Sequence, residues 1–586
     1  MKDKTNKRNI ILYCEPTGQI VMSGGLGLGG HKMEKHYQII LKDTEELVYE
    51  SMRQQIMDEG SPNVGAFLDD NHILDAKYTI YRTASMIALY CNSDSSLYRD
   101  EALLNRIRLG LGFAKKMQHD TGLYDYVTCN FNSAPDTAFS IKKLMPFFFY
   151  LRDVVGDKKT KEEQEIFETI NGIIEKAAKG IVTGGFHTPN HRWAIASTLM
   201  ECAKIYNNDD MVKRANEYLA EGIDCNEDGE FAEKSAGNYN RVNNDAMITL
   251  AEATGDKKYE EYAVRNLHMM LHYWEPDGSV YTANSTRFDK DRLSYPTDYY
   301  TEYMLMGQRH NIPEFYEMCN TIIDICQKKN MLAPDSLIYF MWYPEWRTIE
   351  HEGLYGNPDY HVFYKNSGIS RNKSGRYTYT AMSGKSNFLY FHNGSIKMEM
   401  KVAGSFCEHR AFKAETMEEI DGGVHLHQTM HGWYYLPWTD EKRPATSDWW
   451  EMDNSKRDKK MGPDMDIDVW VTESKEKDGI DVRVKTSGVE GAPWRIELSF
   501  TGATFLENGH LATHLTGNEA LTVKDDYVEL SNHKDTLIVG PAFGAHRFME
   551  GKEDSELRNA GASTIYFTDY TGFDHTITVR NKRSQF

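Results

Sequence analysis

The chain has 586 residues, of which 40% are hydrophobic and 26% are charged. This composition is typical of a folded protein with two or three domains, and it excludes a disordered chain. The formal net charge of −20 excludes a dedicated nucleic-acid binder, because such a protein needs a basic face. The net charge does not exclude a small anionic substrate, since a local basic pocket can lie on an acidic protein.

The first residues carry no recognisable membrane or export signal. No stretch of the chain reaches the ~20 apolar residues of a membrane span, and the apolar run Ile10–Leu12 is too short for a signal peptide. The eight cysteines are scattered and include no C-x-x-C pair. We therefore predict a cytoplasmic protein, with a mature secreted form that has lost its leader as the alternative. Residues 1–40 are predicted to form an N-terminal extension of short strands.

From residue 41 to residue 345 the apolar residues recur with helical spacing. The predicted helices are Thr44–Glu59, Ala76–Cys91, Asp100–Gln118, Ala138–Val155, Lys161–Lys179, Pro189–Tyr206, Asp209–Ala220, Val242–Ala253, Lys258–Trp274, Thr297–Arg309 and Pro313–Lys328. A weak repeat places one helix before the turn Asp228-Gly229 and another before Asp277-Gly278. Helix pairs of this kind bury their faces against their neighbours, and a stack that curls shut forms an (α/α) toroid. An open solenoid is the alternative.

From residue 346 to residue 586 the pattern changes to that of β-structure. The predicted strands are Arg376–Ala381, Asn387–Phe391, Lys397–Val402, Asp466–Thr472, Gly479–Thr486, Trp494–Phe500, Thr564–Thr568 and Thr576–Arg580. Their alternating or β-branched residues, separated by Gly, Asn and Asp turns, are typical of antiparallel sheets. The predicted fold class is therefore α+β and multidomain. An N-terminal (α/α) toroid over 41–345 is followed by a C-terminal antiparallel β-sandwich over 346–586.

One predicted helix start carries an unusual density of hydrogen-bond donors. Thr188 fits the N-cap and Pro189 fits the first helical position. The free N–H groups and the positive dipole end of such a helix are a natural site for a carboxylate. The candidates from this segment are His187, Asn190, His191 and Arg192. A structural role is a fair alternative for one histidine alone, and a much weaker one for the whole cluster.

Two other polar segments precede predicted helices. The first supplies Asn130 and Asp136, although Asp136 or Thr137 could simply be the N-cap of its helix. The second follows the Asp228-Gly229 turn. Its candidates are Glu233, Asn238, Tyr239 and Arg241, and Tyr299 and Glu302 are added from a later helix start. Tyr239 could be an ordinary packed aromatic, but its polar neighbours favour a wet cleft.

The β half adds histidines to the candidates. His409 and Arg410 follow Cys407-Glu408, and His425 and His427 alternate on one face of a strand. An H-x-H pair can bind zinc, but the pair alone is a weak signal, and we assign no metal ligand. Structural zinc or calcium is a secondary option, and histidines that face a cleft between the two halves are at least as plausible.

These side-chain types suit β-elimination from a uronic acid. Removal of the C5 proton builds negative charge beside an existing carboxylate, and amide and imidazole donors can stabilise it by roughly 3–4 kcal/mol each. A tyrosine can take the proton when a neighbouring cation stabilises its phenolate. In glucuronate, H5 and O4 lie on the same ring face, so one tyrosine could act first as base and then as acid. The reaction requires no cofactor.

Two motifs carry a family resemblance at this point. The segments Pro189-Asn190-His191-x-Trp193 and Glu233-x-Ser235-x-x-x-Tyr239, in a toroid followed by a β-sandwich, resemble the heparinase II/III-like polysaccharide lyases. In architecture the resemblance covers most of the chain, whereas in residues it covers these two short motifs.

The resemblance implies roles for individual residues. Asn190 and His191 would engage the uronate carboxylate, and Tyr239 would act as base and acid. A further histidine would come from the start of the β half, for which His409 is the best-placed match and either histidine of the H-x-H pair is the alternative. The other candidates would bind substrate.

Two alternatives belong to other functional classes. A glycoside hydrolase of the exo-β-glucuronidase type is the runner-up, because toroids also host hydrolases. Paired carboxylates for hydrolysis could come from Asp136, Glu233, Glu302 and Glu408. A non-catalytic glycan binder that stacks sugars on tryptophans is the third. The predicted partner is a uronate-containing oligosaccharide or polysaccharide, with no nucleic acid and no membrane, and homo-oligomerisation is left open. Since no leader is seen, exolytic trimming of oligosaccharides is favoured over attack on polymers.

Overall fold

The helical half of the chain precedes the sheet half, as predicted. The computed structural model describes residues 33–476, 478–549 and 561–582. Within these ranges there are twelve α-helices: α1 (Glu34–Gln54), α2 (Ala76–Cys91), α3 (Glu101–Met117), α4 (Ala134–Phe149), α5 (Lys161–Ile181), α6 (Pro189–Tyr206), α7 (Asp209–Leu219), α8 (Tyr239–Thr254), α9 (Lys258–Leu271), α10 (Tyr300–His310), α11 (Pro313–Lys329) and α12 (Leu337–Trp342).

Local signals determine where several helices begin. α2 follows Asp75, whose carboxylate accepts hydrogen bonds from the backbone N–H groups of Lys77 and Tyr78. α5 begins with a capping box formed by Thr160 and Glu163. Such caps satisfy N–H groups that have no partner inside the helix. The predicted bounds of α2 and α6 are confirmed residue for residue.

The helices form a closed ring. α2 packs on α4, α4 on α6 and α6 on α8, and the odd-numbered helices α3, α5, α7 and α9 pack against these inner helices. His36 of α1 hydrogen-bonds to Tyr300 of α10, with 2.8 Å between Nδ1 and the phenol oxygen. The short helix α12, which was not predicted, packs against α1 and α4. The first and last helices therefore meet, and the predicted toroid is confirmed.

The Asp-Gly turns of the sequence repeat have the same geometry in the structure. Gly229 has a φ of +97° and Gly278 a φ of +81°, a region that strongly favours glycine. A Cβ atom on Gly229 would lie 2.6 Å from the backbone of Arg265. Each turn is closed by an isolated antiparallel bridge, Cys225↔Phe231 in one case and Trp274↔Val280 in the other.

The β half is a sandwich of two sheets. A small hairpin, β1 (Tyr124–Tyr126) and β2 (Asn130–Ser133), lies in the helical half. The remaining strands in the described ranges are β3 (Tyr360–Tyr364), β4 (Ile369–Ser374), β5 (Tyr377–Met382), β6 (Asn387–Asn393), β7 (Ile396–Phe406), β8 (His409–Ala411), β9 (Thr416–Ile420), β10 (Gly423–Tyr435), β11 (Lys459–Glu473), β12 (Gly479–Ser487), β13 (Pro493–Thr501), β14 (Phe505–Glu507), β15 (Ala512–His514), β16 (Ala520–Thr522), β17 (Val528–Ser531), β18 (Thr536–Gly540), β19 (Ser563–Tyr570) and β20 (Asp574–Asn581).

Strand order and alternation explain the sandwich. One sheet has the order β16-β19-β13-β7-β6-β5-β4-β3, with β8 paired to β7, and the other has the order β15-β14-β17-β18-β20-β12-β11-β10-β9. Neighbouring strands are antiparallel except for the pair β16–β19. In β10, Val424 and Leu426 are buried, whereas His425 and His427 lie on the half-exposed face. This period of two places one face of each strand in an apolar core.

The two halves are joined by a buried charged cluster. Arg371 of β4 lies 3.0 Å from Glu275, which follows α9, and Nδ1 of His392 lies 2.7 Å from the other oxygen of Glu275. Thr378 donates its hydroxyl to the same carboxylate at 2.5 Å. Burial alone would raise the pKa of Glu275, but Arg371 and His392 outweigh it and hold that pKa well below its usual range.

The N-terminal region differs from its prediction. Most of the predicted extension, residues 1–32, lies outside the described residues, and α1 begins at Glu34 rather than at Thr44. Residues 34–40 are therefore helical and not strands. In the part of the chain that the structure describes, no helix combines the length and the apolar character that crossing a bilayer requires.

Candidate active site

The inner helices of the toroid begin at one rim. The residues before α4 and those before α6 line one hollow, and Glu233, before α8, faces the start of α6. Lys142, midway along α4, hydrogen-bonds to Ser197 of α6 and Thr249 of α8, so the three helices lie side by side. Buried side-chain atoms that lack a hydrogen-bond partner in the described structure occur repeatedly near this rim, on Asn190, Glu233, Asn240, Arg241, Asn243, Asn244 and Arg287. Such atoms are rare in folded proteins, so this rim is suited to a polar ligand.

Tyr239, at the first position of α8, faces a guanidinium. The Cζ atom of Arg287 lies 5.0 Å from the centroid of its ring, and the ring of Phe288 contacts it edge-on. The Nε atom of Arg287 also lies 3.4 Å from a carboxyl oxygen of Glu233. Burial raises the pKa of Glu233 to about 7, and the charge of Arg287 opposes this shift. The three side chains form one contact group, with a fixed positive charge and a carboxyl that titrates near neutrality.

Glu233 connects this group to the start of α6. The backbone N–H of Asn190 faces the Glu233 carboxyl and lowers its pKa, so a side chain of the protein itself lies at the helix start that the sequence predicts as a carboxylate site. Asn190 is completely buried, and its Oδ1 accepts the hydroxyl of Thr188 at 2.5 Å. Thr188 therefore occupies the N-cap position, as predicted, but its hydroxyl bonds to a side chain and not to a backbone N–H group.

His191 lies beside this group and is half-buried. Burial lowers the pKa of its imidazole to about 4, an effect that the charge of Asp136 opposes, so the ring is neutral at pH 7. Its Nδ1 accepts the backbone N–H of His187 at 3.4 Å, which assigns the ring proton to Nε2. The charge of Arg287 also acts on His191. Arg287 therefore contacts Tyr239, and its charge also lowers the pKa of His191.

Asp136 anchors a second polar group near His191. Its carboxylate accepts hydrogen bonds from Nδ2 of Asn130 at 3.0 Å and from the hydroxyl of Ser133 at 2.6 Å, and Nζ of Lys77 lies 3.4 Å away. The N-cap of α4 is Ser133, which corrects the alternative that Asp136 or Thr137 caps this helix. Asp136 is buried and its orientation is fixed by three partners.

A hollow of about 310 Å³ adjoins these residues. Asn130 and His187 line it together with Phe131 and Phe186, whose side chains are 71% and 38% exposed. This volume is at the lower end of the range of pockets that hold small ligands. The hollow therefore offers two aromatic surfaces and the polar side chains of Asn130, Asn132, Ser133 and His187 to a ligand of modest size.

Asp289 connects the loop before α8 to the loop that carries Arg287. Its carboxylate accepts the hydroxyls of Ser235 at 2.9 Å and Ser285 at 2.6 Å, and a backbone N–H group at 3.0 Å. The Ser235 oxygen accepts the backbone N–H of Tyr239 at 3.0 Å. Because hydrogen bonds to a charged group are strong, this carboxylate holds Tyr239 in place relative to Arg287.

Two predicted binding residues are engaged in structural contacts. The guanidinium of Arg192 lies 2.6 Å from Glu221 and 3.0 Å from Asp224. Tyr299 is buried, and its hydroxyl donates to the carbonyl of Ala236 at 2.6 Å. Its polar atom thus stabilises the loop, and the role of Tyr299 in substrate binding stays a prediction.

Three other candidates lie at the start of α8 or deeper in the ring. Nε of Arg241 is 3.2 Å from Asp298. Glu302 is buried and accepts Nδ2 of Asn244 at 3.3 Å, and burial raises its pKa well above the usual value. The role of Glu302 in substrate binding stays a prediction. Asn238 is the N-cap residue of α8, but its side chain makes no capping hydrogen bond.

The H-x-H pair of the β half contacts one carboxylate. Nε2 of His425 and Nδ1 of His427 each lie 2.9 Å from the same oxygen of Asp468 on β11. The ring of His425 also stacks on Trp470. In the described ranges, no group of three or more His, Cys, Asp or Glu side chains is arranged to hold a metal ion.

His409 and Arg410 lie in β8, which pairs with β7. The guanidinium of Arg410 donates to the carbonyl of Cys407 at 2.5 Å. Among the described residues, no hydrogen bond or ion pair joins either side chain to the helical half. The role of His409 beside Tyr239 stays a prediction.

Sequence reasoning did not single out Lys77, Arg287 or Asp289. The sequence does contain a signal for Arg287 and Asp289. The run Thr282–Arg292 is rich in polar residues and precedes α10, as other polar segments precede α6 and α8. Lys77 lies in the first turn of α2, and its sequence context contains no comparable cluster.

The comparisons with known proteins concern the whole chain. No protein-family model and no curated protein matches it. Among solved structures, a xanthan lyase from Paenibacillus matches 95% of this chain and 58% of its own, at 10% identity and a TM-score of 0.55. A heparinase III structure matches 93% of this chain and 84% of its own, at 10% identity and a TM-score of 0.50. A second heparinase III structure matches 94% and 85%, at 9% identity and a TM-score of 0.50.

The fold of this chain is therefore that of toroid-and-sandwich polysaccharide lyases. The resemblance that the two motifs carried is confirmed for the fold. The chain spans 58% of the length of the xanthan lyase it matches. Since one fold hosts many activities, the activity is argued from the site.

Proposed function

We propose that this protein is a lyase that cleaves uronic-acid-containing glycans by β-elimination. The observation that carries the proposal is the contact group at the rim, in which Arg287 links Tyr239 to Glu233 and lies near His191. Glu233 in turn contacts Asn190. In this proposal a candidate base, a fixed positive charge and neutral donors act on one substrate.

The residues take the following parts in the proposed reaction. The positive charge of Arg287 and the Nε2–H group of neutral His191 stabilise the uronate carboxylate as negative charge builds on deprotonation. Asn190 acts as a further donor through its Nδ2 group, which has no partner within the described structure.

The phenolate of Tyr239 takes the C5 proton. The C5–H electrons form the C4–C5 double bond, the C4–O4 bond breaks, and the phenol returns its proton to the leaving O4. The reaction needs no metal and no cofactor. His409 is retained as the proposed contribution of the β half.

The test is the substitution Tyr239→Phe, assayed on a panel of uronate oligosaccharides by the ultraviolet absorbance and mass of the unsaturated product. We expect a loss of roughly 10²–10⁴-fold in kcat, because the proton has no acceptor. Tyr262→Phe is the matched control, since Tyr262 also stacks on an arginine, Arg265, at 4.9 Å. Undiminished elimination by Tyr239→Phe would refute the proposed base.

For the mode of action, we propose exolytic trimming of oligosaccharides. The hollow of about 310 Å³ that His187 lines supports this mode, because its size suits a terminal sugar better than a continuous chain. Product sizing over time distinguishes the modes. Early release of small products from one end is expected, whereas a mixture of long fragments would contradict exolysis. A cytoplasmic location and homo-oligomerisation stay predictions.

One observation favours the hydrolase alternative. A carboxyl whose pKa lies about 7, like that of Glu233, can act as a general acid near neutral pH. Asp136 would then be the candidate base. In that case Glu233→Gln would abolish turnover, Tyr239→Phe would only weaken it, and the product would be a saturated sugar heavier by one water.

A further inference from the structure

The hairpin between β10 and β11 projects from its sheet. β9 pairs with β10 only up to His427, and β12 pairs with β11 only from Asp466 onward. The hairpin ladder itself continues to Tyr435 and Lys459. Residues 433–461, called here the aromatic arm, thus extend beyond the neighbouring strands of the described sheet.

The aromatic arm exposes large aromatic side chains. Trp450 is 90% exposed, Tyr434 65% and Trp449 48%. An isolated two-stranded hairpin is marginally stable in water, and exposed indoles lower the solubility of a protein. A cluster of this kind on an otherwise acidic surface indicates a binding function.

Positively charged side chains pack against the aromatic rings of the same cluster. Nζ of Lys459 lies 3.4 Å from the ring centroid of Trp433, and Cζ of Arg457 lies 4.6 Å from that of Trp438 and 5.4 Å from that of Trp449. Such cation–π contacts hold the rings in fixed orientations. They make the aromatic arm a preorganised surface, which lowers the entropic cost of binding.

These cations are not neutralised by the protein. Among the described residues no carboxylate forms an ion pair with Arg457 or Lys459, nor with the adjacent Lys460, whereas Lys442, Arg443 and Lys456 in the same arm each have one. In a chain with a net charge of −20, this is a local site of complementarity for anions.

We propose that the aromatic arm is a second binding surface for an acidic glycan, distinct from the rim site of the toroid. The exposed faces of Trp449 and Trp450 stack on the C–H faces of sugar rings, and Arg457, Lys459 and Lys460 pair with uronate carboxylates. The inference rests on the acidic glycan proposed as substrate and deepens that proposal by adding a distant contact.

The base of the aromatic arm is fixed to the sandwich. Nε1 of Trp433 donates to Glu408 at 2.7 Å, so the base of the aromatic arm is attached to the turn before β8. We therefore expect the arm to move with the sandwich and to hold an acidic glycan through its own contacts.

The test compares Trp450→Ala and Trp449→Ala with Tyr527→Ala, which removes an exposed aromatic (45%) elsewhere in the β half. Affinity electrophoresis in gels that contain hyaluronan, alginate or polygalacturonate measures binding of long chains. Elimination rates on a tetrasaccharide and on the polymer are measured in parallel. We expect binding of at least one polymer to weaken about tenfold in each tryptophan variant, with unchanged tetrasaccharide turnover and unchanged behaviour of Tyr527→Ala.

The outcomes separate this inference from the proposed activity. Tryptophan-dependent binding without any elimination would refute the lyase and leave the arm as a glycan surface. Equal binding by all variants, or no binding of any acidic polymer by the wild type, would overturn the inference. Light scattering tests whether the aromatic arm instead binds a second copy of the chain. A dimer that dissociates in Trp450→Ala, with glycan binding unaffected, would also overturn it.

Discussion

The substitution Asp289→Asn tests whether one buried carboxylate holds the candidate site together. Asp289 accepts three hydrogen bonds, two from serine hydroxyls and one from a backbone N–H group. Asparagine has one accepting oxygen and one NH₂ group, so at least one donor in this cluster is left facing another donor. Losing one hydrogen bond to a charged group and weakening the rest destabilises the fold by about 2–3 kcal/mol.

The assay follows both stability and turnover. We expect the thermal midpoint, measured by near-ultraviolet circular dichroism, to fall by roughly 3–6 °C. Since the same carboxylate positions Tyr239 against Arg287, kcat on a cleavable oligosaccharide should fall at least about tenfold below the melting transition. Asp120→Asn, at an exposed turn, is the control. An unchanged midpoint, or a lowered midpoint with unchanged kcat, would refute the reasoning.

Two further predictions concern buried charges. In Arg371→Met, Glu275 stays buried without its main partner, so urea unfolding should show a loss of about 3–5 kcal/mol, and a loss below about 1 kcal/mol would contradict this. The depressed pKa of Glu275 contributes stability that is present above the unfolded pKa of ~4.3 and is lost as pH falls through the folded value. The contribution of Glu233 to stability has the opposite pH dependence. Its folded pKa of about 7 exceeds the unfolded ~4.3, so its contribution to stability falls as pH rises through this interval. Between these pH values, the melting temperature should depend less on pH for Glu233→Gln than for the wild type. An equal pH dependence in both proteins would contradict the assignment.

Much of the fold could be predicted because it depends on local patterns. The start of α6 follows from Thr188 and Pro189, and the bounds of α2 follow from the helical spacing of its apolar residues. The start of α1 could not be placed in the same way. The residues before Thr44 carry no side-chain cap, since Met33 precedes the helix without a capping hydrogen bond. The short α12 depends on tertiary contacts such as the stacking of Trp342 on Phe149.

The site was predicted in part for the same reason. Tyr239, Asn190 and His191 lie at helix starts that local signals reveal. Arg287 lies far from them in sequence and meets Tyr239 only because two loops are joined through Asp289. The burial of Tyr299 and Glu302 also depends on long-range packing, which the sequence does not encode in any short window.

The buried cluster of Glu275, Arg371 and His392 has a mechanical consequence. The other contacts between the halves include partly exposed hydrogen bonds, such as that from the backbone N–H of Ser367 to Asp228 at 2.8 Å. Exposed bonds exchange with water at little cost, whereas separating the buried charges is expensive. We therefore expect any widening of the space between toroid and sandwich to be a rotation about this cluster as a hinge. Product release would then be a pivoting motion, with the largest displacement farthest from Arg371.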